Sequence, residues 1–239
     1  MKRKLPSLSR EWKLNFLVRG RVVETFDYLL RIMPLFLKGA VTTVKLASLG
    51  ITFGTLIGLF IALAKISNNL LLNYFGRFYT WVFRGIPLLV QLIFIYYALA
   101  EVGLQFTAFQ SAVIGISLCG GAYIAEIIRA AILSIDKGQM EAALSLGMTY
   151  AQAMRRIIIP QTYRRLIPPM GNEFITLTKD TSLASAITMV EILRQAQLNA
   201  ASDFRPLENY AAAALLYLAL TTIFTVVFNK VENKLALSE

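Results

Sequence analysis

The chain has 239 residues, of which 56% are hydrophobic and only 16% are charged, and so low a charge density leaves too little polar surface for a water-soluble fold. It contains no histidine and one cysteine, which excludes an intrachain disulfide, a metal site built from His and Cys ligands, and hydrolase triads that need histidine. The formal net charge of +10 does not indicate a nucleic-acid partner, because the basic residues lie at the edges of apolar runs, as they do in membrane proteins.

The first segment of the chain, residues 1–33, is predicted to be a basic tail followed by an amphipathic helix at the membrane interface. Charged residues interrupt its apolar residues throughout, so no secretory signal peptide is expected. Residues 34–231 are predicted to form one transmembrane domain, and residues 232–239 a short cytoplasmic tail. No internal repeat or flexible linker divides the chain.

Five apolar stretches are long enough to cross a bilayer as helices, which takes roughly 20 residues each. In chain order they are residues 46–64 with a start near Pro34, then 78–100, 102–125, 166–192 and 209–229. The sequence therefore predicts an all-α integral membrane protein with about five transmembrane helices. Gly50, Gly54 and Gly58 in the first stretch predict a close helix contact, either within the chain or with a second subunit.

Basic residues in the connections favour an orientation with the amino terminus outside and the carboxyl terminus inside. In this orientation only Arg194 and Arg205 fall in the outer connections, whereas the other connecting Lys and Arg residues lie inside. The basic amino-terminal tail opposes this choice, but most of it is far from the first span. The N-out, C-in topology therefore follows from the connections.

Polar residues inside the second and third stretches need partners. Arg84-Gly85-Ile86-Pro87 predicts a bent start of the second span with Arg84 at the inner interface. The Gln91 amide lies in an apolar run, so it requires a hydrogen bond, either to the substrate or to another helix. Glu126 and Arg129 are three residues apart, which favours a mutual ion pair or extension to the interface.

The connection between the third and fourth stretches, residues 130–165, is longer than a simple turn needs. Asp136 is placed to cap a helix, with Gln139 three residues later to complete a capping box. Gly147 then interrupts the helical pattern. So long an amphipathic connection is expected to bind another protein.

A second short helix is predicted in the same connection. It begins at Thr149, with Gln152 three residues later, and is expected to end at Pro160. The two helices joined at a glycine form a compact elbow. The alternative is an amphipathic hairpin that lies on the membrane surface.

The residues of this connection resemble a known motif. Glu141-Ala142-Ala143, Gly147, Ile157, Ile159 and Pro160 match the E-A-A-x3-G-x9-I-x-L-P loop of permease subunits of ATP-binding cassette (ABC) importers, with isoleucine for leucine as the only departure. Four further segments resemble the polar amino-acid branch of that family, namely residues 84–91, 121–129, 138–139 and 179–183. The resemblance covers residues 34–231.

The resemblance implies the type I importer fold and a set of partners. Two permease subunits, identical or siblings, would form the pore in the bacterial cytoplasmic membrane, two cytoplasmic ABC ATPase subunits would power it, and an extracellular or periplasmic amino-acid-binding protein would deliver the substrate. The chain has no Gly-x4-Gly-Lys-Ser/Thr phosphate loop, so it is not expected to be an enzyme. ATP and Mg are expected on the ATPase subunits, and no cofactor on this chain.

The resemblance also implies that residues 130–165, called the coupling loop below, contact the ATPase. Small alanine side chains allow close approach, Gly147 permits the bend, and Glu141 lies in the first helical turn, where free amides favour an anion. The candidate ATPase-coupling residues are Gln139, Glu141, Ala142, Ala143, Gly147, Met148 and Thr149.

The fourth stretch carries polar residues on one face. Charges inside a bilayer cost roughly 2.5–3.5 kcal/mol each on insertion scales, so they normally face a cavity or a partner. Thr181 and Ser182 are expected to cap a helix that starts there and to free backbone groups toward the pore. Lys179 is adjacent to Asp180, and the two could instead form a structural ion pair. The candidate substrate-path residues are Asn172, Glu173, Thr176, Gln91, Asp180, Thr181 and Ser182.

The function indicated is the pore-forming permease subunit of an ATP-driven importer of polar amino acids, working by alternating access. A permease for another small polar solute is the nearest alternative. A secondary transporter driven by an ion gradient would fit Glu173 and Asp180, but it leaves the coupling loop without a purpose. The side-chain preference for one amino acid stays open.

Overall fold

The computed structural model describes the backbone of residues 10–236 and the side chains of residues 24–234. The outermost residues of the two predicted tails, 1–9 and 237–239, lie outside this range. Within it the structure is all α, as predicted, and contains no strand. The helices are α1 Arg10–Ile66, α2 Leu70–Gly85, α3 Leu88–Ile93, α4 Leu99–Glu101, α5 Ala108–Leu133, α6 Lys137–Ser145, α7 Tyr150–Ala153, α8 Ile159–Asp180, α9 Ile192–Asp203 and α10 Pro206–Ala236, with π-helical segments at Phe94–Ala98 and Met154–Ile158 and a 3-10 helix at Thr181–Ile187.

Three of the described helices are long and apolar enough to cross a membrane. They are Glu24–Ile66 within α1, Ala108–Leu133 and Pro206–Lys234, and a fourth span results if α2 and Leu88–Glu101, which meet at 97°, are counted together. The predicted span at residues 166–192 is interrupted, because α8 ends at Asp180. The count of five spans and the N-out, C-in orientation therefore stay predictions.

The predicted start of the third span at Val102 is wrong. The chain leaves the helical conformation after Glu101, and α5 begins only at Ala108, after its cap Thr107. The Thr107 hydroxyl accepts a bond from the amide of Gln110 at 3.2 Å, and the Gln110 side chain accepts one from the Thr107 amide at 2.9 Å. Hydropathy alone assigned residues 102–107 to the third span, but this capping box starts the helix at Ala108.

Helix α1 continues without a break across residues 33 and 34, with Pro34 inside it. Tyr28, Ile32 and Phe36 are buried and pack in one cluster with Ile192 and Ala196 of α9. Residues 28–33 therefore pack in the helix bundle, and no change of secondary structure marks the predicted domain boundary at residue 33.

The glycine stripe of α1 packs on α5. A Cβ atom added at Gly50 would lie 2.5 Å from Ile116 Cγ2, and one at Gly58 would lie 2.8 Å from Ile124 Cγ2 and 3.0 Å from the backbone nitrogen of Ala125. The predicted close contact is confirmed, and its partner is within the chain. Because Gly50 lies beside Ile116 and Gly58 beside Ile124, the two helices run in the same direction.

Replacing Gly58 with valine is expected to destabilise the α1–α5 contact. The new side chain would clash with backbone atoms of α5 as well as with the Ile124 side chain, and such overpacking costs about 1–3 kcal/mol or more. Thermal denaturation in detergent, followed by size-exclusion chromatography, measures the effect. Gly85→Ala is the matched control because a Cβ there meets nothing within 4 Å, and equal melting of both variants would contradict the prediction.

Candidate functional site

The second apolar stretch breaks in its middle, between α2 and α3. Gln91 caps the break, since its Nε2 donates to the carbonyl oxygens of Phe83 at 3.0 Å and Ile86 at 2.8 Å. The Phe83 carbonyl loses its helical partner because Pro87 has no amide hydrogen, and the Ile86 carbonyl lies where the backbone is extended between the two helices. The predicted bend at residues 84–87 is therefore present, its place at the start of a span stays a prediction, and the Gln91 amide group bonds the end of the preceding helix.

A cavity of about 470 Å³ lies between this break, α5 and α8. Carboxylate, guanidinium, hydroxyl, thiol and phenol groups all belong to its walls. The lining residues are Arg84, Gly85, Ile86, Pro87, Leu88, Cys119, Gly120, Tyr123, Glu173, Thr176, Leu177, Asp180 and Leu183.

Helix α8 supplies the polar wall of the cavity. Glu173, Thr176 and Asp180 line it together, as expected for residues on one face of a helix. Within the described part of the chain, neither carboxylate forms an ion pair or a hydrogen bond, so the predicted ion pair of Lys179 with Asp180 does not form. Asn172 and Lys179 are exposed and lie outside the lining.

The chain after α8 tightens into the 3-10 helix instead of starting a new α-helix. The prediction that Thr181 and Ser182 cap a new helix is therefore wrong. Thr181 is buried and its hydroxyl donates to the carbonyl oxygen of Thr178 at 2.8 Å, while Ser182 is half-buried. Neither residue lines the cavity.

A fully buried carboxylate, Glu191, joins three helices behind the 3-10 segment. It caps α9 by accepting bonds from the amides of Leu193 at 2.9 Å and Arg194 at 2.7 Å, and it also accepts a bond from the Tyr217 hydroxyl of α10. The backbone of Glu191 touches α1, where a Cβ at Gly39 would lie 3.1 Å from it. Sequence reasoning missed this site, although a lone acid before an apolar run is a possible cap signal.

A second carboxylate, Glu126, interacts with basic side chains of α1, α2 and α5. Arg129 Nε donates to its Oε2 at 2.9 Å, which confirms the predicted pair. Lys65 Nζ bonds its Oε1 and also the Thr80 hydroxyl at 2.9 Å. Arg84 Nη1 lies farther away, 3.9 Å from Oε1. The structure places Arg84 in the wall of the cavity, and its place at the inner interface stays a prediction.

The first half of the coupling loop forms α6. The Asp136 carboxylate accepts a bond from the amide of Gly138 at 2.6 Å, but the predicted capping box is only half formed. The side-chain oxygen of Gln139 instead accepts a bond from Gln161 Nε2 at 3.4 Å. Gly147 has φ +80°, which confirms the predicted glycine bend.

The second short helix of the coupling loop does not end at Pro160 as predicted. The Thr149–Gln152 capping box is formed, and α7 then continues through the π-helical segment directly into α8. Pro160 falls in the first turn of α8, where its missing amide hydrogen is tolerated. The coupling loop and the polar wall of the cavity therefore belong to one uninterrupted helical path.

Most candidate coupling residues lie on the surface of the loop. Ala143 is buried and Met148 is half-buried, whereas the other five candidates are exposed. Three apolar side chains that the sequence did not single out are exposed beside them, namely Leu144 at 45%, Leu146 at 80% and Tyr150 at 62%. These three side chains add apolar surface to the loop that the sequence predicts to bind another protein.

Comparisons with known proteins agree with this arrangement. Residues 54–236 match the model of the family described as binding-protein-dependent transport system inner membrane component. The chain belongs to this family. Members are membrane permease subunits of ABC importers, whose ATPase is carried by a separate subunit, and the predicted resemblance is confirmed.

Individual relatives cover nearly the whole chain. The probable amino-acid ABC transporter permease protein PatM of Vibrio harveyi is 43% identical over 215 residues, 88% of this chain and 96% of the relative. The glutamine transport system permease protein GlnP of Escherichia coli K12 is 39% identical over 205 residues, 85% of this chain and 94% of the relative. Both relatives are therefore matched over almost their full length.

Solved structures show the same fold. The crystal structure of an amino acid ABC transporter with histidines is 41% identical to this chain, with a TM-score of 0.84, and the match covers 87% of this permease and 98% of that chain. The MetNI methionine transporter is 21% identical with a TM-score of 0.74 and supports the fold alone. The predicted type I permease fold is confirmed.

The described residues offer no site for a resident metal. No group of three or more His, Cys, Asp or Glu side chains in that part of the chain is arranged to hold a metal ion.

Proposed function

We propose that this permease forms the pore of an ATP-driven importer of polar amino acids in the bacterial cytoplasmic membrane. The observation that carries the proposal is the uninterrupted helical path from the exposed coupling loop to Glu173, Thr176 and Asp180 in the cavity wall. Amino-acid permeases among the relatives support the substrate class. Another small polar solute is the alternative.

The mechanism is alternating access driven from outside the chain. ATP and Mg act on two cytoplasmic ATPase subunits, and their closure moves the coupling loops of two permease subunits, identical or siblings. Because α7, the π-helical segment and α8 are continuous, this movement turns α8 as a rigid body and exposes the cavity to one side of the membrane at a time. An extracellular or periplasmic amino-acid-binding protein supplies the solute on the outer side.

The two sets of functional residues divide along this path. Gln139, Glu141, Ala142, Gly147 and Thr149 are exposed on the coupling loop and contact the ATPase. They are helped by Met148, while Ala143 packs inward and supports them.

In the cavity, Glu173, Thr176 and Asp180 contact the amino acid. Gln91 and Thr181 shape the wall through their bonds to backbone carbonyls. Asn172 and Ser182 lie outside the lining in this conformation.

The fold supports the N-out, C-in orientation once the coupling loop is placed in the cytoplasm. Helix α5 ends at the loop, and α1 runs in the same direction as α5, so α1 also begins outside and ends inside. Phe174 of α8 packs on Phe224 of α10, and Gly171 lies close to Phe228. Helix α10 therefore runs opposite to α8 and ends inside.

The single cysteine provides a direct test of the cavity. Cys119 is 7% exposed and lines it, so a bound amino acid is expected to slow its modification by a small methanethiosulfonate reagent about threefold or more, since the ligand excludes the reagent. Mass spectrometry of the permease subunit measures the modified fraction with and without arginine, glutamine or glutamate. Cys119→Ser is the control for background labelling, and no protection by any amino acid would contradict the proposal.

The energy source is tested separately. Proteoliposomes that contain the transporter, with its binding protein added outside, should import amino acid when ATP is sealed inside and no ion gradient exists. Import that needed an ion gradient and ignored ATP would favour a secondary transporter.

A further inference from the structure

Arg84 is a surplus cation beside the Glu126 cluster. Both oxygens of the Glu126 carboxylate already accept bonds, Oε1 from Lys65 and Oε2 from Arg129. Arg84 approaches Oε1 only to 3.9 Å, which is longer than a charge-assisted hydrogen bond. Glu126 therefore keeps two hydrogen-bonded cations without Arg84, which is the most distant of the three and makes only a long ion pair with it.

The Arg84 guanidinium lies at the cavity, beside an aromatic ring. Its side chain is 44% exposed, and its Cζ lies 5.2 Å from the ring centroid of Tyr123, which also lines the cavity. Stacking on an aromatic ring holds the guanidinium plane and leaves its N–H edges available. The adjacent Gly85 adds no bulk, and a Cβ there would meet nothing within 4 Å.

The rest of the cavity carries the opposite charge. Glu173 and Asp180 line it from α8, and neither has an ion-pair partner within the described side chains. The nearest basic residue on that helix, Lys179, is exposed and does not line the cavity. One cavity therefore contains a guanidinium contributed by α2 and two unpaired carboxylates contributed by α8.

We propose that Arg84 is the specificity-determining residue that binds the carboxylate of the transported amino acid. A guanidinium can hold a carboxylate with two parallel hydrogen bonds, which a neutral amide cannot accept equally well. The ammonium group of the same solute then faces Glu173 and Asp180. This inference rests on the proposed function and assigns the orientation of the substrate in the cavity.

Equilibrium binding to the purified permease–ATPase complex in nanodiscs, without the binding protein, tests the role of Arg84. The probes are labelled arginine, glutamine and glutamate, each competed by its own α-carboxamide, which keeps the side chain and the ammonium group. Unchanged protein is expected to prefer the carboxylate form roughly tenfold or more, the discrimination typical of a hydrogen bond between charged groups. Arg84→Gln is expected to reduce this preference to about twofold or less.

Arg129→Gln is the matched control, because it removes a cation from the same Glu126 cluster but not from the cavity lining. It should keep the tenfold preference, whereas a purely structural role of Arg84 would lower binding of both ligand forms and leave their ratio unchanged. Wild-type discrimination in Arg84→Gln would overturn the inference.

Two further outcomes are separable. If Arg84→Gln does not assemble, Arg84→Lys replaces it, and wild-type affinity and ratio in that variant would overturn the inference, since lysine lacks the two-pronged geometry. If unchanged protein binds amino acids without preferring the carboxylate, Arg84 is excluded while the proposed function stands. Failure of every amino acid to bind would instead count against the proposed function.

Discussion

Replacing Gly147 with valine is expected to reduce amino-acid import by about tenfold or more while the permease still inserts and assembles with its ATPase, because a β-branched residue is strained where φ is positive. Gly147 has φ +80°, and a Cβ there meets nothing within 4 Å. The variant therefore produces backbone strain without a steric clash. That strain changes the angle between α6 and the α7–α8 path, so closure of the ATPase no longer turns the cavity wall.

Two rates measured in the same proteoliposomes check this result. Uptake should fall, and ATP hydrolysis should continue at a substantial fraction of its original rate, which is the signature of uncoupling. Gly147→Asn is the matched control, since asparagine tolerates the left-handed conformation better than other residues with a side chain. Equal uptake in the valine and asparagine variants would show that the bend is not needed.

The features that could be predicted from the sequence depend on local rules. The contact made by Gly50, Gly54 and Gly58 follows from spacing on one helix, and the Thr149 cap follows from a four-residue motif. Glu173 and Thr176 share a wall of the cavity because α8 is regular between them. Each of these features is decided within a few turns of one helix.

The wrong boundaries have a common physical cause. Proline was expected to stop a helix at Pro160, but the preceding π-helical segment places it in the first turn of α8, where no amide donor is needed. Hydropathy likewise joined Val102 to α5, because it does not register the capping box at Thr107. In both cases the hydrogen bonds of a few backbone groups decided the boundary.

Other parts of the site could not be predicted because their partners are distant in sequence. Lys65 and Glu126 are 61 residues apart, and Glu191 and Tyr217 are 26 apart. No spacing rule connects such residues before the helices are packed. Arg84 shows the same limit, since its place in the cavity depends on how α2, α5 and α8 meet.

Replacing Glu191 with alanine is expected to destabilise the permease more than any other single change considered for the bundle. The substitution leaves the amides of Leu193 and Arg194 and the Tyr217 hydroxyl without their acceptor in a buried position. Each unsatisfied donor costs about 1–3 kcal/mol, so a loss of about 3–5 kcal/mol is expected after partial relaxation. The melting temperature in detergent and the yield of monodisperse protein measure this loss.

Two controls identify the cause. Tyr217→Phe removes one donor and leaves Glu191 bonded to both amides, so its loss of stability should be a fraction of that of Glu191→Ala. Glu232→Ala removes an exposed glutamate from α10 and should change the melting temperature little. If Glu191→Ala and Glu232→Ala had the same melting temperature, water would have to accept the hydrogen bonds of the three donors. The contact between α1, α9 and α10 would then not depend on the buried Glu191 carboxylate. If instead Glu191→Ala melts early, Tyr217→Phe melts in between and Glu232→Ala is unchanged, the buried acid holds α9 and α10 against α1, beside the 3-10 segment that ends the cavity wall.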